Sequence, residues 1–235
     1  SSDEGTVLLH RHAALMLELM KTAATQLQQL SEPAWMERYA YRLDDVRQAI
    51  EVSLAEPVDT RFPAELISAS APLWFQVSQV AEYRDWVRAA LHLVDRQSEP
   101  DVETATWLNT ALVSALLSTA TPTDELDAAC DRALAGALQV KSRLLELQAR
   151  WGRCTSMMFR GEYLAALQGE KVLQEVAQGW SDPRAEILAH RVSAMARHFG
   201  GELDVSRQHS EAALGLSGPF GRTRVAAAIG PEAVV

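Results

Sequence analysis

Residues 161–173 read GEYLAALQGEKVL. Gly161 offers a backbone turn, and Tyr163, Ala166 and Leu173 follow at spacings that place them on one helical face. The stretch reads as the turn and second helix of an antiparallel helix pair. Stepping along the chain by about forty residues meets the same pattern in both directions. Leu43, Tyr83, Thr123, Tyr163 and Leu203 fall in phase, as do Val46, Trp86, Leu126, Ala166 and Ser206. Ser53, Leu93, Ala133, Leu173 and Ala213 form a third set, and Ala81, Thr121, Gly161 and Gly201 mark turns. Most of these positions are apolar or small. Such a period, made of helix pairs, points to an all-α fold: a right-handed α-solenoid of antiparallel pairs, each burying its face against the next. A non-repeating bundle of similar helices is the alternative.

The rest of the chain reads as helix too. Apolar residues at three- and four-residue spacing predict helices over 7–30 and 34–55, with Ser31-Glu32-Pro33 between them. Further helices are expected over 61–78, 81–97, 102–119, 124–140, 142–160, 162–179, 183–199 and 202–215. No segment alternates with period two for long enough to make a strand. Thr123 or Asp124, and Ser181 or Asp182, are placed to cap helix starts. The expected organisation is a linker and first helix pair over 1–57, helical repeats over 58–220, and the truncated start of a further helix over 221–235. The final apolar run, RVAAAIGPEAVV, carries no polar terminal face of the kind that closes a solenoid. Val235 is therefore expected to be a cut end.

Bulk chemistry narrows the function classes. Hydrophobic residues make up 48% of the 235 and charged residues 23%, so a sizeable core can be buried. The net charge of −9 disfavours direct contact with a phosphate backbone. Cys130 and Cys154 both sit in apolar helical contexts and are expected to be reduced, buried thiols of a cytoplasmic protein. The acidic start SSDEGTVLLH is no signal peptide, and no apolar run approaches the roughly 20 residues of a membrane span.

The sequence carries no recognisable catalytic signature. Gly136-Ala-Leu-Gln-Val-Lys141-Ser142 lacks the second glycine of a phosphate loop and sits in helical pattern, so Lys141 reads as a solvated helix end. In GLSGP (215–219), Pro219 stands where a nucleophile elbow needs glycine. None of the six histidines belongs to a zinc-spaced motif. No carboxylate pair stands out. The chain is not expected to be an enzyme, nor to carry a cofactor. A binding surface is the remaining reading. Helical arrays line their concave wall with the first helix of each pair. In the forty-residue phase these positions include Phe75, Gln148, Trp151, Thr155, Met158, Arg191, Met195 and His198. An aromatic, soft methionines and a cation on one wall suit a peptide or a small organic anion. The alternative for Trp151, Met158 and Met195 is plain core between helices.

Two resemblances add to this reading. The Gly161, Tyr163, Ala166 order is similar to the turn and second helix of tetratricopeptide repeats, repeated weakly by Gly201, Leu203, Ala213 and Pro219. The first-helix pattern is largely missing, so the repeats are degenerate. His10-Arg11-His12-Ala13, Trp35, Leu43-Asp44-Asp45-Val46-Arg47-Gln48-Ala49-Ile50, Leu73-Trp74 and Arg84-Asp85-Trp86-Val87-Arg88-Ala89-Ala90-Leu91 occur in a telling order. That order resembles the helical segment of bacterial STAND-type predicted-ATPase transcriptional regulators, which follows their nucleotide-binding and winged-helix parts. Asp45-Val46 departs from the family's usual Asn-Leu. The resemblance implies a sensor or interaction segment that recognises an inducer or a partner protein and contacts the NTPase and winged-helix domains of its own chain. The segment itself would not touch DNA or membrane. A homodimer through a cut face is a further expected partner state. The alternative is a free-standing scaffold for protein–protein interaction.

Overall fold

The computed structural model describes residues 2–216, apart from positions 28, 56, 58, 120–123, 179, 181 and 182. Every regular element among them is helical. The order is α1 (Ser2–Gln26), α2 (Glu32–Tyr39), α3 (Leu43–Ala55), α4 (Arg61–Gln76), α5 (Val80–Asp95) and α6 (Val102–Thr119). There follow α7 (Asp124–Gln139), α8 (Arg143–Phe159), α9 (Tyr163–Ala177), α10 (Pro183–Phe199) and α11 (Leu203–Leu216). From α3 onward each helix packs on its neighbours in the chain, and α4, α6, α8 and α10 also touch one another in succession. Helix α1 lies across α3 and α4.

Local chemistry sets the helix ends. Asp59 accepts the backbone N–H of Phe62 at 2.8 Å, Asp101 that of Glu103 at 3.0 Å, and Ser142 that of Leu145 at 3.4 Å. Of the caps expected near α7 and α10, Asp124 is the first residue of α7, while Thr123, Ser181 and Asp182 lie outside the described residues. Four helices end in a left-handed residue. Ser78, Lys141, Gly161 and Gly201 have φ of 59°, 56°, 78° and 83°. In each case the next N–H reaches back to a carbonyl of the last turn: Gln79 to Trp74, Ser142 to Ala137, Glu162 to Met157 and Glu202 to Arg197, at 2.9 to 3.0 Å. The turn expected at Ala81 is therefore at Ser78, and Ala81 lies inside α5. Thr121 lies outside the described residues. Lys141 does mark a helix end.

The single helix predicted over 34–55 is broken. A 3-10 turn, Ala40–Arg42, separates α2 from α3. The cause is long-range. Buried Trp35 donates its Nε1–H to the carbonyl of Ala23 at 2.8 Å, and the Tyr39 hydroxyl donates to Gln26 Oε1 at 2.8 Å. The two rings pack 5.1 Å apart. These contacts hold α2 on the end of α1, while Val46, Ala49 and Ile50 of α3 bury into the core beside α1, α4 and α5. One straight helix cannot satisfy both directions.

Helix α6 is buried nearly all round, from Thr104 to Leu116, because α4, α5, α7 and α8 surround it. Its hydroxyls turn back onto their own helix: Thr110 donates to the Thr106 carbonyl at 2.9 Å and Ser114 to that of Thr110 at 3.2 Å. Gly136 of α7 rests on this face, where a Cβ would come within 2.0 Å of Thr106 Oγ1. The glycine of the phosphate-loop look-alike is thus a packing contact within a helix.

Candidate functional site

Helices α8, α10 and α11 enclose an open cleft of about 520 Å³. Residues 191, 195 and 198 sit one turn apart on α10, so Arg191, Met195 and His198 share the face turned to the cleft. Trp151 of α8 forms one side, half-buried against the core of α8–α10. The opposite side is α11, with Ser206, Ser210, Ala213 and Leu214. Burial of the Arg191 guanidinium pushes its pKa down to about 10, so it stays charged at neutral pH but sheds its proton more readily than a solvated arginine.

Four of the eight predicted wall residues meet here: Trp151, Arg191, Met195 and His198. The other four do not. Gln148, Thr155 and Met158 of α8 are buried, at 2%, 3% and 2% exposure, and Met158 belongs to the core shared with Leu173, Ala189 and Val192. Thr155 donates its hydroxyl to the Trp151 carbonyl at 2.9 Å. Phe75 lies in another part of the molecule, edge-on to Tyr83 at 5.8 Å across the α4–α5 hairpin. The α11 wall was missed as a binding surface, although Ser206 and Ala213 stood in the forty-residue phase and were legible as packing positions.

A polar network ties α9 to α10. Buried Glu170 of α9 accepts from Ser193 Oγ at 2.6 Å and from Arg197 at 3.1 Å. Gln174 donates to Ser193 Oγ at 2.6 Å and to the Ala189 carbonyl at 3.2 Å. His190 of α10 and His209 of α11 place their Nδ1 atoms 2.9 Å apart, within hydrogen-bond distance, with donor and acceptor set by the ring tautomers. Burial, and then the neighbouring His190, lower the pKa of His209. A second cleft, also about 520 Å³, opens between α9 and α10 over Gln174, Glu175, Gln178, Glu186 and His190.

Cys130 and Cys154 are buried and unbonded. Burial pushes their pKa values up to about 12 and about 11, so neither is a ready nucleophile near neutral pH. Among the described residues, no three His, Cys, Asp or Glu side chains converge as a metal-binding group. No described helix is long and apolar enough to cross a membrane.

The fold and cleft define a class: an all-helical protein whose helices pack in succession and leave a mostly apolar, one-cation cleft. No protein-family profile matches the chain, and no curated protein is significantly similar to it.

Proposed function

We propose that this chain is a non-catalytic binding segment of a multidomain, ATPase-type bacterial transcriptional regulator of the cytoplasm. In this reading it is a right-handed α-solenoid of degenerate tetratricopeptide-like pairs with a period of about forty residues. The spacing of helix starts supports that period. The first helices begin at Arg61, Val102, Arg143 and Pro183, and the second helices at Leu43, Val80, Asp124, Tyr163 and Leu203.

The observation that carries the binding reading is the convergence of Trp151, Arg191, Met195 and His198 on one cleft from two successive first helices. A flat aromatic, a thioether and a half-buried guanidinium recognise an apolar body with one anionic group. Such a ligand is a small organic-acid inducer or a peptide segment of a partner. Binding would bias the NTPase and winged-helix domains of the full chain through differential affinity for two states. The free-standing scaffold is the second reading. It is favoured by the exposure of Leu203 and Leu214 on α11, at 62% and 50%.

A thermal-shift screen of the chain against organic acids and peptides tests the proposal. A ligand at a hundred times its Kd stabilises by about 2.7 kcal/mol, a shift of several degrees in a domain this size. The shift should disappear in Trp151→Ala and shrink in Arg191→Gln. A shift that survives both variants would place binding elsewhere.

A further inference from the structure

We propose that His190 of α10 and His209 of α11 form a two-imidazole site for a divalent transition-metal ion of tetragonal preference, Cu(II) or Ni(II), which clamps the two helices together. The site shares no side chain with the cleft of Trp151 and Arg191, so the two readings fail separately.

The α10–α11 hairpin places the two rings. Its helices run antiparallel about the left-handed turn at Gly201, and the Ser206 hydroxyl donates to the carbonyl of Ala194 at 2.7 Å. His190 lies four residues before Ala194, and His209 three after Ser206. Each ring therefore stands one turn farther from Gly201 than that contact, on the facing sides of the pair. The two Nδ1 atoms meet at 2.9 Å. The rings are tilted by 47°, with centroids 5.1 Å apart, rather than stacked. Both histidines are half-buried, and His190 also lines the cleft between α9 and α10, so an ion and its waters can reach them from solvent.

The spacing selects the ion. Two imidazole nitrogens about 2.0–2.1 Å from one metal lie about 2.9 Å apart when they are cis in a tetragonal shell, and about 3.4 Å apart in a tetrahedral one. The observed 2.9 Å matches the tetragonal case, which Cu(II) and Ni(II) prefer and Zn(II) does not. Between those two, Cu(II) binds nitrogen donors more tightly.

With both rings neutral, the contact between them needs a proton on one Nδ1. Metal binding moves that proton to Nε2 of the same ring, which leaves both Nδ1 lone pairs to the ion. Burial, and then His190, hold the pKa of His209 below its ordinary value, so the ring is neutral and able to bind at pH 7. The Glu170 carboxylate favours positive charge at His209, and Arg197 opposes it. Among the described residues, no third His, Cys, Asp or Glu joins the pair as a metal group. Water therefore completes the shell, and the ion is exchangeable rather than a fixed part of the fold. Glu186, one turn before His190, and Glu175 of α9 line the cleft beside it and draw cations towards it.

Titration of the chelator-stripped chain with copper(II) chloride at pH 7, followed by electron paramagnetic resonance, tests this. An equimolar amount should give a tetragonal Cu(II) signal with hyperfine structure from imidazole nitrogens. His190→Gln and His209→Gln should each weaken the binding by about tenfold or more. His92→Gln, on an exposed part of α5, should leave it unchanged. Trp151→Ala should keep the signal, whichever way the organic-acid screen falls. Circular dichroism checks that each variant folds. Copper-catalysed oxidation with ascorbate and oxygen locates the ion in the unaltered chain, where peptide mass spectra should show added oxygen at His190 or His209. Cu(II) binding that survives both variants would overturn the proposal. So would oxidation confined to other histidines such as His10 and His12, or no ion held at equimolar copper.

Discussion

Arg47 of α3 donates from Nε and Nη2 to the two carboxylate oxygens of Glu82 of α5, both at 2.7 Å. Arg88 of α5 repeats the fork on Glu125 of α7, at 2.8 and 2.7 Å. Successive second helices are thus tied by the same bidentate contact, which fixes the angle between them as well as the distance. The neighbour that receives Arg47 is α5. Hydrogen bonds from Arg47 hold the Glu82 carboxyl below the usual range, and Arg88 does the same for Glu125.

Glu82→Gln should cost no more than about 1 kcal/mol, because both partners are roughly one-third exposed and salt-screened. The variant should also lose part of the wild type's salt sensitivity. For both glutamates the folded pKa lies below the unfolded one. Their contribution is therefore present above about pH 4.5 and is lost as the pH falls below it. Urea unfolding at pH 6 and pH 3.5, with and without added salt, measures both effects.

The His190–His209 contact makes a second pH dependence at milder acidity. The folded pKa of His209 lies below the ordinary 6.5, so the unfolded chain binds its proton first. Stability from this group is full above pH 6.5 and falls as the pH drops below it. Protonating both rings would set two N–H groups against each other across 2.9 Å. His209→Phe should flatten the wild-type loss between pH 7.5 and pH 5.5. A variant that keeps the full slope would assign it to other groups.

Gly136→Ala should destabilise by about 1–3 kcal/mol, since its Cβ would meet Thr106 Oγ1 and α6 is packed on every side. Thr106→Ala in the same chain should recover part of that loss. Chemical unfolding of the two single variants and the double variant gives the coupling directly.

Ser78→Gly should stabilise by about 1 kcal/mol, because Ser78 holds φ of 59° where a side chain is strained. The gain should show as a higher Tm with an unchanged helical signal.

The existence of the helices was legible because their apolar residues recur at three- and four-residue spacing, and the starts expected at 162 and 202 lie one residue before those of α9 (Tyr163) and α11 (Leu203). The break at Ala40–Arg42 was not legible. It depends on Trp35 reaching Ala23 and Tyr39 reaching Gln26, and no local signal announces either bond. The turn at Ser78 escaped for a related reason: a serine in left-handed backbone looks like any other serine. The candidate wall divides by the same logic. Thr155 and Met158 on α8 occupy the helix positions of Met195 and His198 on α10. Helix α10 packs on α8, so Thr155 and Met158 are buried, whereas Met195 and His198 line the cleft. Periodicity names the face; only packing says whether a neighbour lies on it.

Hydrogen exchange on the full chain, with and without the strongest stabiliser from the organic-acid and peptide panel, tests the cleft most directly. If the cleft binds, amide exchange should slow in α8, α10 and α11 around Trp151, Arg191 and Ser206, and stay unchanged in α1 to α3. Slowed exchange confined to α1–α5, or none there or at the cleft despite thermal stabilisation, would contradict a binding site built on Trp151 and Arg191.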